Sequence, residues 1–365
     1  MELGIIGKSR SGKTSLFNAV TRGTAQVGAY SAGTEPNVGV VKVPDPRLDA
    51  LTEVFKPKKL THAEIRWMDF PAGSFGKDAP GAQFLAQIAK ADALVHVVRA
   101  FEDESVPHPD GGAIDPHGDI EGLDLELTFS DLALIERRIH RIDVEMRSMK
   151  PADRTAMEVH QELLRRMQAH LEGGAGLRSM TFTEVEDKEL RAYQFITRLP
   201  VLLVVNIGED DIARVGEIEA KFAARYAGKS VAVASLCAKI EAELAQMEPD
   251  DAAVFRADLG LPAESPLDRA IVAAYDLLGL QSFLTAGEDE VRAWTVRKGA
   301  TAPEAAGKIH TDLERGFIRA EVAGWRDYVD AKGSNAELKK AGKLRTEGKQ
   351  YIVQDGDVLN ILFNV

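Results

Sequence analysis

Cysteine is almost absent from this sequence, and long apolar runs are missing altogether. Cys237 is the single cysteine among 365 residues, which excludes an internal disulfide and any metal site built from several cysteines. No apolar stretch reaches the roughly 20 residues that a membrane-spanning helix needs, and the amino-terminal segment lacks the basic and apolar regions of a signal peptide. We therefore expect a cytoplasmic protein without a membrane segment.

Positively charged residues are also fewer than negatively charged ones. Lysine and arginine number 45 against 57 aspartate and glutamate residues, which gives a net charge of −12. Such an acidic chain is not coated for nucleic acid, so any contact with RNA must come from a local patch. The hydrophobic share of 45% is typical of a globular protein, and the length suggests two or three domains of roughly 100–200 residues each.

Apolar runs alternate with helix-like segments in most of the chain. Most of these runs are rich in β-branched residues and end at turn residues, which predicts β-strands. Strands that alternate with helices are typical of a doubly wound α/β sheet. We expect the second and third runs to pair as an antiparallel hairpin at the sheet edge. The runs are Leu3–Ile6, Val38–Val43, Ile65–Met68, Leu94–Val98, Val201–Val205 and Ser230–Ala234.

A helical pattern interrupts this alternation after the fourth run. Apolar residues recur at spacings of three and four before Pro151, and again after it as far as Gly173. This predicts two amphipathic helices joined by a short turn, an arrangement that favours an antiparallel helical hairpin inserted into the α/β domain. A third helix should begin at the capping box of Thr183 and Glu186 and end before Pro200. The pattern leaves open whether the hairpin is a packed spacer or an arm that contacts a partner.

The last part of the chain has a strand-rich pattern with one helix. EVRAWTV, FIRAEV, QYIVQDGDVL and NILFNV predict strands and a turn, with Asp355-Gly356 as the turn signal. Thr301 and Glu304 form a capping box that should open the helix. A small α+β domain is the expected result. The predicted partition is residues 1–122 with 199–280, an inserted helical domain at 123–198, and a carboxyl-terminal domain at 281–365.

A phosphate-binding loop follows the first predicted strand. It reads Gly7-Lys8-Ser9-Arg10-Ser11-Gly12-Lys13-Thr14 and lies between a strand and a helix, as this motif requires. Its glycines let backbone N–H groups turn toward an anion, and the helix adds the positive end of its dipole. Lys13 would reach the outer phosphates and the Thr14 hydroxyl would bind Mg²⁺. The loop alone does not distinguish a kinase from an ATPase or a GTPase.

Three further positions lie at the ends of predicted strands, in the order that a nucleotide switch requires. Thr34 precedes the second strand, where a switch threonine senses the outer phosphate and Mg²⁺. Asp69 ends the third strand, where a Walker-B acid holds the metal through water. Asn206-Ile207-Gly208-Glu209 ends a later strand, where a base-recognition loop belongs. Together they predict a Mg²⁺-dependent nucleoside-triphosphate site.

With these motifs the chain resembles the YchF/Obg-like ATPase family of P-loop NTPases, as a divergent member, over nearly its whole length. The resemblance implies a nucleotide domain, an inserted helical arm and a carboxyl-terminal TGS domain of β-grasp fold. It also implies hydrolysis of ATP, often beside GTP, and association with ribosomes or ribosomal RNA through the arm and the TGS domain. The stretches that carry it are SLFNAVT, EPNVGVVKVPDPRLDAL, DALVHVVRAFED, VVNIGED, FLTAGEDEVRAWTVRKGATAPEAAGKIHTDLERGFIRAEV and EGKQYIVQDGDVLNILFNV.

The resemblance also implies roles for individual residues. His108 falls where the family has a loop histidine that orients the attacking water; a solvated loop histidine is the alternative. Thr14 and Thr34 would bind Mg²⁺. The phosphates would contact Arg10, Ser11, Gly12, Lys13, Thr14 and Ser15, and the base would contact Asn206, Ile207, Glu209, Cys237, Ala238 and Lys239.

Two departures from the family pattern mark the chain as divergent. The segment from Asp69 to Ser74 displaces or loses a glycine whose N–H contacts the outer phosphate, and Arg10 replaces an asparagine that helps to hold a monovalent cation in some related GTPases. Two functions therefore remain open. One is slow hydrolysis, with ATP preferred over GTP, as a switch at the ribosome; the other is a binding module that regulates a partner by nucleotide occupancy.

A basic cluster lies near the carboxyl terminus of this acidic chain. Such a cluster can contact RNA phosphates, but a solvated face explains the same residues. The sequence does not decide between the two, and it does not give the oligomeric state. The cluster consists of Lys339, Lys340, Lys343, Arg345 and Lys349.

Overall fold

The computed structural model describes residues 1–23, 36–70, 81–108, 111–228, 230–262 and 264–364. Contacts between residues divide the chain into two units, one of residues 1–39 and 66–270 and the other of residues 40–65 and 271–365. None of the helices described is both long and apolar enough to cross a membrane.

The strands and helices are numbered in chain order. The strands are β1 (Glu2–Ile6), β2 (Asn37–Lys42), β3 (Lys59–Thr61), β4 (Glu64–Asp69), β5 (Ala93–Ala100), β6 (Val201–Ile207), β7 (Val231–Leu236), β8 (Leu280–Ala286), β9 (Glu290–Arg297), β10 (Phe317–Gly324), β11 (Arg345–Glu347) and β12 (Asp357–Phe363). The helices are α1 (Lys13–Thr21), α2 (Pro46–Phe55), α3 (Ala82–Ile88), α4 (Pro116–Ser148), α5 (Pro151–Glu172), α6 (Glu184–Leu190), α7 (Val215–Tyr226), α8 (Ala238–Leu244), α9 (Pro249–Asp258), α10 (Pro266–Leu277), α11 (Ala302–Ile309), α12 (Thr311–Arg315), α13 (Trp325–Asp330) and α14 (Asn335–Lys340). Short 3₁₀ segments cover Leu177–Ser179, Ile196–Arg198 and Glu209–Arg214.

The first sheet has the strand order β2-β4-β1-β5-β6-β7. The β1–β4, β1–β5, β5–β6 and β6–β7 pairs are parallel, as expected for a doubly wound sheet. All of β6 and nearly all of β5 are buried, because helices cover both faces of such a sheet. β2 lies beside β4 at the sheet edge, but the predicted hairpin is wrong, since α2 and β3 intervene between these strands in the chain.

The strand order places one end of β1 where a ligand site is expected. From β1 the chain first adds strands on one side of it, and then crosses to the other side with β5. In open α/β sheets, ligands bind outside the carboxyl ends of the strands at this point of reversal. The phosphate loop follows the carboxyl end of β1 and therefore lies at this position.

The predicted helical hairpin is present as α4 and α5. α4 already begins at Pro116, and its early residues Leu123 and Leu127 pack with the first sheet. Farther along, Ile135 and Ile142 pack with the buried residues of α5, so that the arm has an apolar seam of its own. The predicted third helix is shorter than expected: α6 begins at the Thr183 capping box and ends at Leu190.

The second unit is built around a mixed sheet of order β11-β10-β12-β8-β9-β3. Helix α11 packs on it through buried alanines, and the Thr301–Glu304 capping box is present at its start. This is the β-grasp domain that the resemblance implied. The predicted strand at QYIV is wrong, since there only Ile352 forms an isolated bridge, to Thr301.

An earlier part of the chain contributes to the second unit. β3 pairs in parallel with β9, and Arg47 at the start of α2 forms an ion pair with Asp355. At the end of α2, the ring of Phe55 lies against that of Tyr328. These contacts place residues 40–65 in the same unit as the carboxyl-terminal sheet. The partition into three domains remains a prediction.

Candidate functional site

Two glycines allow the phosphate loop to turn tightly between β1 and α1. Gly7 and Gly12 have φ angles of 144° and 96°, which side-chain-bearing residues rarely adopt. A Cβ atom at Gly7 would lie 2.3 Å from the Val97 carbonyl oxygen, and one at Gly12 would lie 2.1 Å from Asn206 Nδ2. The loop therefore needs glycine at both positions for its conformation and for its close packing.

Lys13 lies inside the cradle that this loop forms. Its ammonium group donates hydrogen bonds of 2.9 Å to the carbonyl oxygens of Gly7 and Lys8. Burial lowers the pKa of Lys13 to about 8, although the negative charge of Asp69 opposes this shift. An ammonium that has lost much of its hydration interacts strongly with an anion, because little water remains to be displaced. The arrangement suits a phosphate oxygen.

Thr14 and Asp69 form the part of the site that could hold a metal ion. The Thr14 hydroxyl donates a hydrogen bond of 3.0 Å to Asp69 Oδ2, while buried Asp69 Oδ1 has no hydrogen-bond partner among the described residues. Burial raises the pKa of Asp69, and the Thr14 hydrogen bond and the Lys13 charge oppose that shift. In the described part of the chain, no three acidic, histidine or cysteine side chains gather into a metal cluster. A hydroxyl, one carboxylate, water and substrate phosphates are the oxygen ligands that Mg²⁺ takes in phosphoryl-transfer sites, so these residues fit Mg²⁺.

The other residues predicted to contact the phosphates differ in burial and in the direction of their side chains. Ser11 is buried, and its hydroxyl has no hydrogen-bond partner among the described residues. Ser15 is half-buried in the first turn of α1. The Arg10 guanidinium donates a hydrogen bond of 2.9 Å to the Pro107 carbonyl oxygen, so it is directed toward another loop.

Asn206 joins the two loops on the base side to the phosphate loop. Its Nδ2 donates to the Ser11 carbonyl oxygen and its Oδ1 accepts from the Ala238 backbone N–H, both at 2.9 Å. Asn206 is buried, and these bonds hold the phosphate loop and the Cys237–Lys239 loop at a fixed distance. The structure therefore brings these three parts of the predicted site together.

The remaining base-side residues differ in exposure. The Ile207 side chain is buried in the core beside α7 and α8, so only its backbone is placed to contact a base. Cys237 is buried too, which raises the pKa of its thiol. Glu209 and Lys239 are exposed and form an ion pair of 2.7 Å across the mouth of the two loops.

His108 lies in the loop after β5 with its side chain mostly buried. Its Nε2 is 3.4 Å from Asp119 Oδ2, at the start of α4. The alternative role, that of a solvated loop histidine, does not fit this burial, because the His108 side chain is only 7% exposed. Thr34 and the segment from Pro71 to Ser74 lie outside the described residues.

Sequence reasoning missed the residues that hold the His108 loop. Lys8 Nζ lies 2.9 Å from Asp119 Oδ1, and the Pro107 carbonyl accepts from Arg10. Arg99, at the end of β5, is buried and donates to the Phe101 carbonyl oxygen at 3.1 Å. The one available signal was the positive charge of Lys8 and Arg10, in addition to that of Lys13, in the same loop.

Two family models match the chain. The YchF-GTPase_C model, described as a protein of unknown function, matches residues 280–364. The MMR_HSR1 model, described as a 50S ribosome-binding GTPase, matches residues 2–169. The first falls on the second unit, and the second covers the phosphate loop and the arm helices nearly to the end of α5.

Similar proteins extend over the full length. The ribosome-binding ATPase YchF of Bacillus subtilis (strain 168) is 43% identical over 368 residues, which cover 99% of each chain. Obg-like ATPase 1 of Oryza sativa subsp. japonica is 36% identical and aligns with 100% of this chain and 92% of that protein. The structure of the Schizosaccharomyces pombe YchF GTPase matches with a TM-score of 0.84 at 29% identity, covering 99% of this chain and 97% of that one. With the phosphate loop, the inserted arm and the β-grasp domain all in the same order, this chain belongs to the YchF family of Obg-like ATPases.

Proposed function

We propose that this protein binds ATP with Mg²⁺, hydrolyses it slowly, accepts GTP more weakly and acts as a nucleotide switch associated with ribosomes. The main support for the proposal is that Asn206 links the phosphate loop to the base-side loop by hydrogen bonds to both. Beside it, Lys13 lies in the phosphate cradle and Thr14 contacts Asp69. These groups supply what binding of a nucleoside triphosphate requires.

Hydrolysis places additional negative charge on the phosphoryl group in the transition state, and the site has positive groups at that position. Lys13 and the backbone N–H groups of the loop stabilise negative charge on the phosphoryl group as it transfers. Thr14 and Asp69 would hold Mg²⁺, which would neutralise charge on the phosphate oxygens. His108 orients the attacking water. Since one histidine replaces the positioned glutamine of many GTPases, we expect turnover to be slow.

The base-side loop favours adenine. A loop of the Asn-Lys-x-Asp type accepts two hydrogen bonds from guanine, whereas this chain has Asn206-Ile207-Gly208-Glu209. The Glu209 carboxylate is longer by one methylene and is engaged by Lys239. Adenine has no N1–H to satisfy, so it loses nothing here, and its amine and N1 can use backbone groups around Ile207. Sites discriminate strongly only where they hydrogen-bond the base, which is why we propose a modest preference for ATP.

Association with ribosomes rests on the named function of the relatives and on the arm. The bacterial relative is named a ribosome-binding ATPase. Arg137 and Arg141, one turn apart on α4, are exposed and available to RNA phosphates. The carboxyl-terminal basic cluster supports the proposal less, because Lys339 pairs with Glu321 and Lys343 with Asp327. Cosedimentation with ribosomes at rising salt, compared between the native chain and an Arg137→Glu/Arg141→Glu variant, tests the contact.

Single-turnover hydrolysis tests the enzymatic part. Excess protein is mixed with labelled ATP or GTP at equal Mg²⁺, and bound nucleotide and released phosphate are followed separately. We expect phosphate release from both nucleotides, with tighter binding of ATP. Binding without phosphate release would instead establish the module that acts by occupancy alone. Clear preference for GTP, unchanged in Glu209→Ala, would contradict the assignment of adenine.

A further inference from the structure

Two basic side chains of the phosphate loop contact the His108 loop and the start of α4 that follows it. Arg10 donates to the carbonyl oxygen of Pro107, the residue directly before His108, at 2.9 Å. Lys8 Nζ lies 2.9 Å from Asp119 Oδ1. Both contacts are additional to Lys13, which provides the ammonium group of the cradle. The Arg10 contact holds the His108 loop, and the Lys8 contact holds the start of α4.

Asp119 connects this arrangement to the imidazole. One of its carboxylate oxygens faces Lys8 and the other lies 3.4 Å from His108 Nε2. The Asp119 and His108 side chains are each only 7% exposed, so water competes little for this contact. A carboxylate beside an imidazole fixes the orientation of the ring and determines which ring nitrogen carries the proton.

We infer that Asp119 is a positioning residue for His108, and that Lys8 holds the Asp119 carboxylate in place from the phosphate loop. The inference rests on the proposed hydrolysis, in which His108 orients water. Through this pair, the conformation of the loop that binds the phosphates sets the direction of the ring that acts on the water. A misplacement of about 1 Å at such a group can cost about 100-fold in rate.

The same carboxylate belongs to the arm helix. Asp119 lies in the first turn of α4, a helix of 33 residues that begins beside the site and continues into the arm. At about 1.5 Å per residue, such a helix is a rigid rod of about 50 Å. Asp119 therefore links Lys8 of the phosphate loop both to His108 and to the root of the arm, because it contacts the first and is part of the second.

The test measures rate and affinity separately in Asp119→Asn, which keeps the shape of the side chain and removes its charge. We expect the single-turnover rate to fall about 10- to 100-fold while the dissociation constant for ATP changes less than about threefold. Asp119→Glu restores the charge and should recover part of the rate, and it provides the second variant if Asp119→Asn does not fold. Glu121→Gln is the matched control, because Glu121 lies on the same helix turn and pairs with Arg225 at the surface.

A double-mutant cycle shows whether Asp119 acts through His108. In a His108→Ala background, Asp119→Asn should cause no further loss of rate, since the group that it positions is already gone. Equal losses in both backgrounds, or a rate in Asp119→Asn equal to that of the native protein, would overturn the inference while leaving the proposed function in place. Absence of phosphate release from the native protein would remove both.

Discussion

The buried Lys13 ammonium contributes strongly to affinity for phosphate. We predict that Lys13→Ala weakens binding of ATP about 10- to 100-fold, because a charge-assisted hydrogen bond contributes about 1.5–3 kcal/mol. The fold should persist, since the Lys13 ammonium donates to carbonyl oxygens of its own loop, which water can replace in the variant. Equilibrium titration with a fluorescent ATP analogue measures the change, and Lys221→Ala, at an exposed lysine on α7, is the control. Unchanged affinity in Lys13→Ala would remove the assignment of the phosphate loop.

A second buried titratable residue, His96, makes stability depend on pH. His96 lies in β5 between β1 and β6 and is 3% exposed. Burial lowers its pKa to about 4, although the nearby carboxylates Asp124 and Asp119 oppose the shift and Arg178 and Lys13 add to it. In the unfolded chain a histidine has a pKa of about 6.5. Between these values the unfolded state binds a proton that the folded state does not, so stability falls as pH decreases from about 6.5 to 4.

The size of this effect is measurable by chemical denaturation. We predict that the His96 contribution destabilises the native protein by about 2 kcal/mol on going from pH 7 to pH 5. His96→Gln, which does not titrate, should show a decrease smaller by that amount. Identical decreases in the two proteins would show that His96 does not cause the pH dependence.

Elements with a strong local pattern could be predicted from the sequence. The hairpin α4–α5 followed from apolar residues at helical spacing and from Pro151, and the phosphate loop followed from its motif between a strand and a helix. Elements fixed by distant contacts could not be predicted. β3 is short and mostly exposed, so only its pairing with β9 defines it as a strand.

The same distinction applies to the candidate site. Lys13 and Thr14 are adjacent in a motif, whereas Lys8 and Asp119 meet only because α4 begins beside the phosphate loop. Ile207 illustrates a further limit, since its position at the end of β6 was expected, but the burial of its side chain depends on α7 and α8.

The arm depends on its apolar seam rather than on contact with the nucleotide site. Leu164 on α5 is fully buried among residues of both arm helices. We predict that Leu164→Ala lowers the free energy of unfolding by about 2–5 kcal/mol, through lost burial and a cavity, while ATP affinity stays unchanged at a temperature where the variant is folded. Val159→Ala on the same helix is the control, since Val159 is 63% exposed and should change stability by less than about 0.5 kcal/mol. Equal losses of unfolding free energy in the two variants would contradict the role of the apolar seam in arm stability.

At the scale of the whole molecule, the second unit is assembled from two separated parts of the chain. Residues 40–65 provide the edge strand β3 and the helix α2, and residues 271–365 provide the rest. α2 contacts β9 and α13, and its residues Leu48 and Leu51 are fully buried. The carboxyl-terminal sequence therefore has the pattern of a complete small domain, yet its structure includes residues that precede it by a long stretch of chain.

This assembly leads to a prediction about the isolated carboxyl-terminal part. A fragment of residues 271–364 should be less stable than the same fragment with residues 40–65 added as a peptide, because burial of two leucine side chains alone contributes at least about 3 kcal/mol. Addition of the peptide should raise the midpoint of thermal unfolding in a concentration-dependent manner, as expected for a ligand that binds only the folded state. A peptide with Leu48→Asp and Leu51→Asp is the matched control and should have no effect, since charged side chains at buried positions prevent docking of α2. If the fragment alone unfolds at the same temperature with or without the native peptide, residues 40–65 only cover a domain that is already complete.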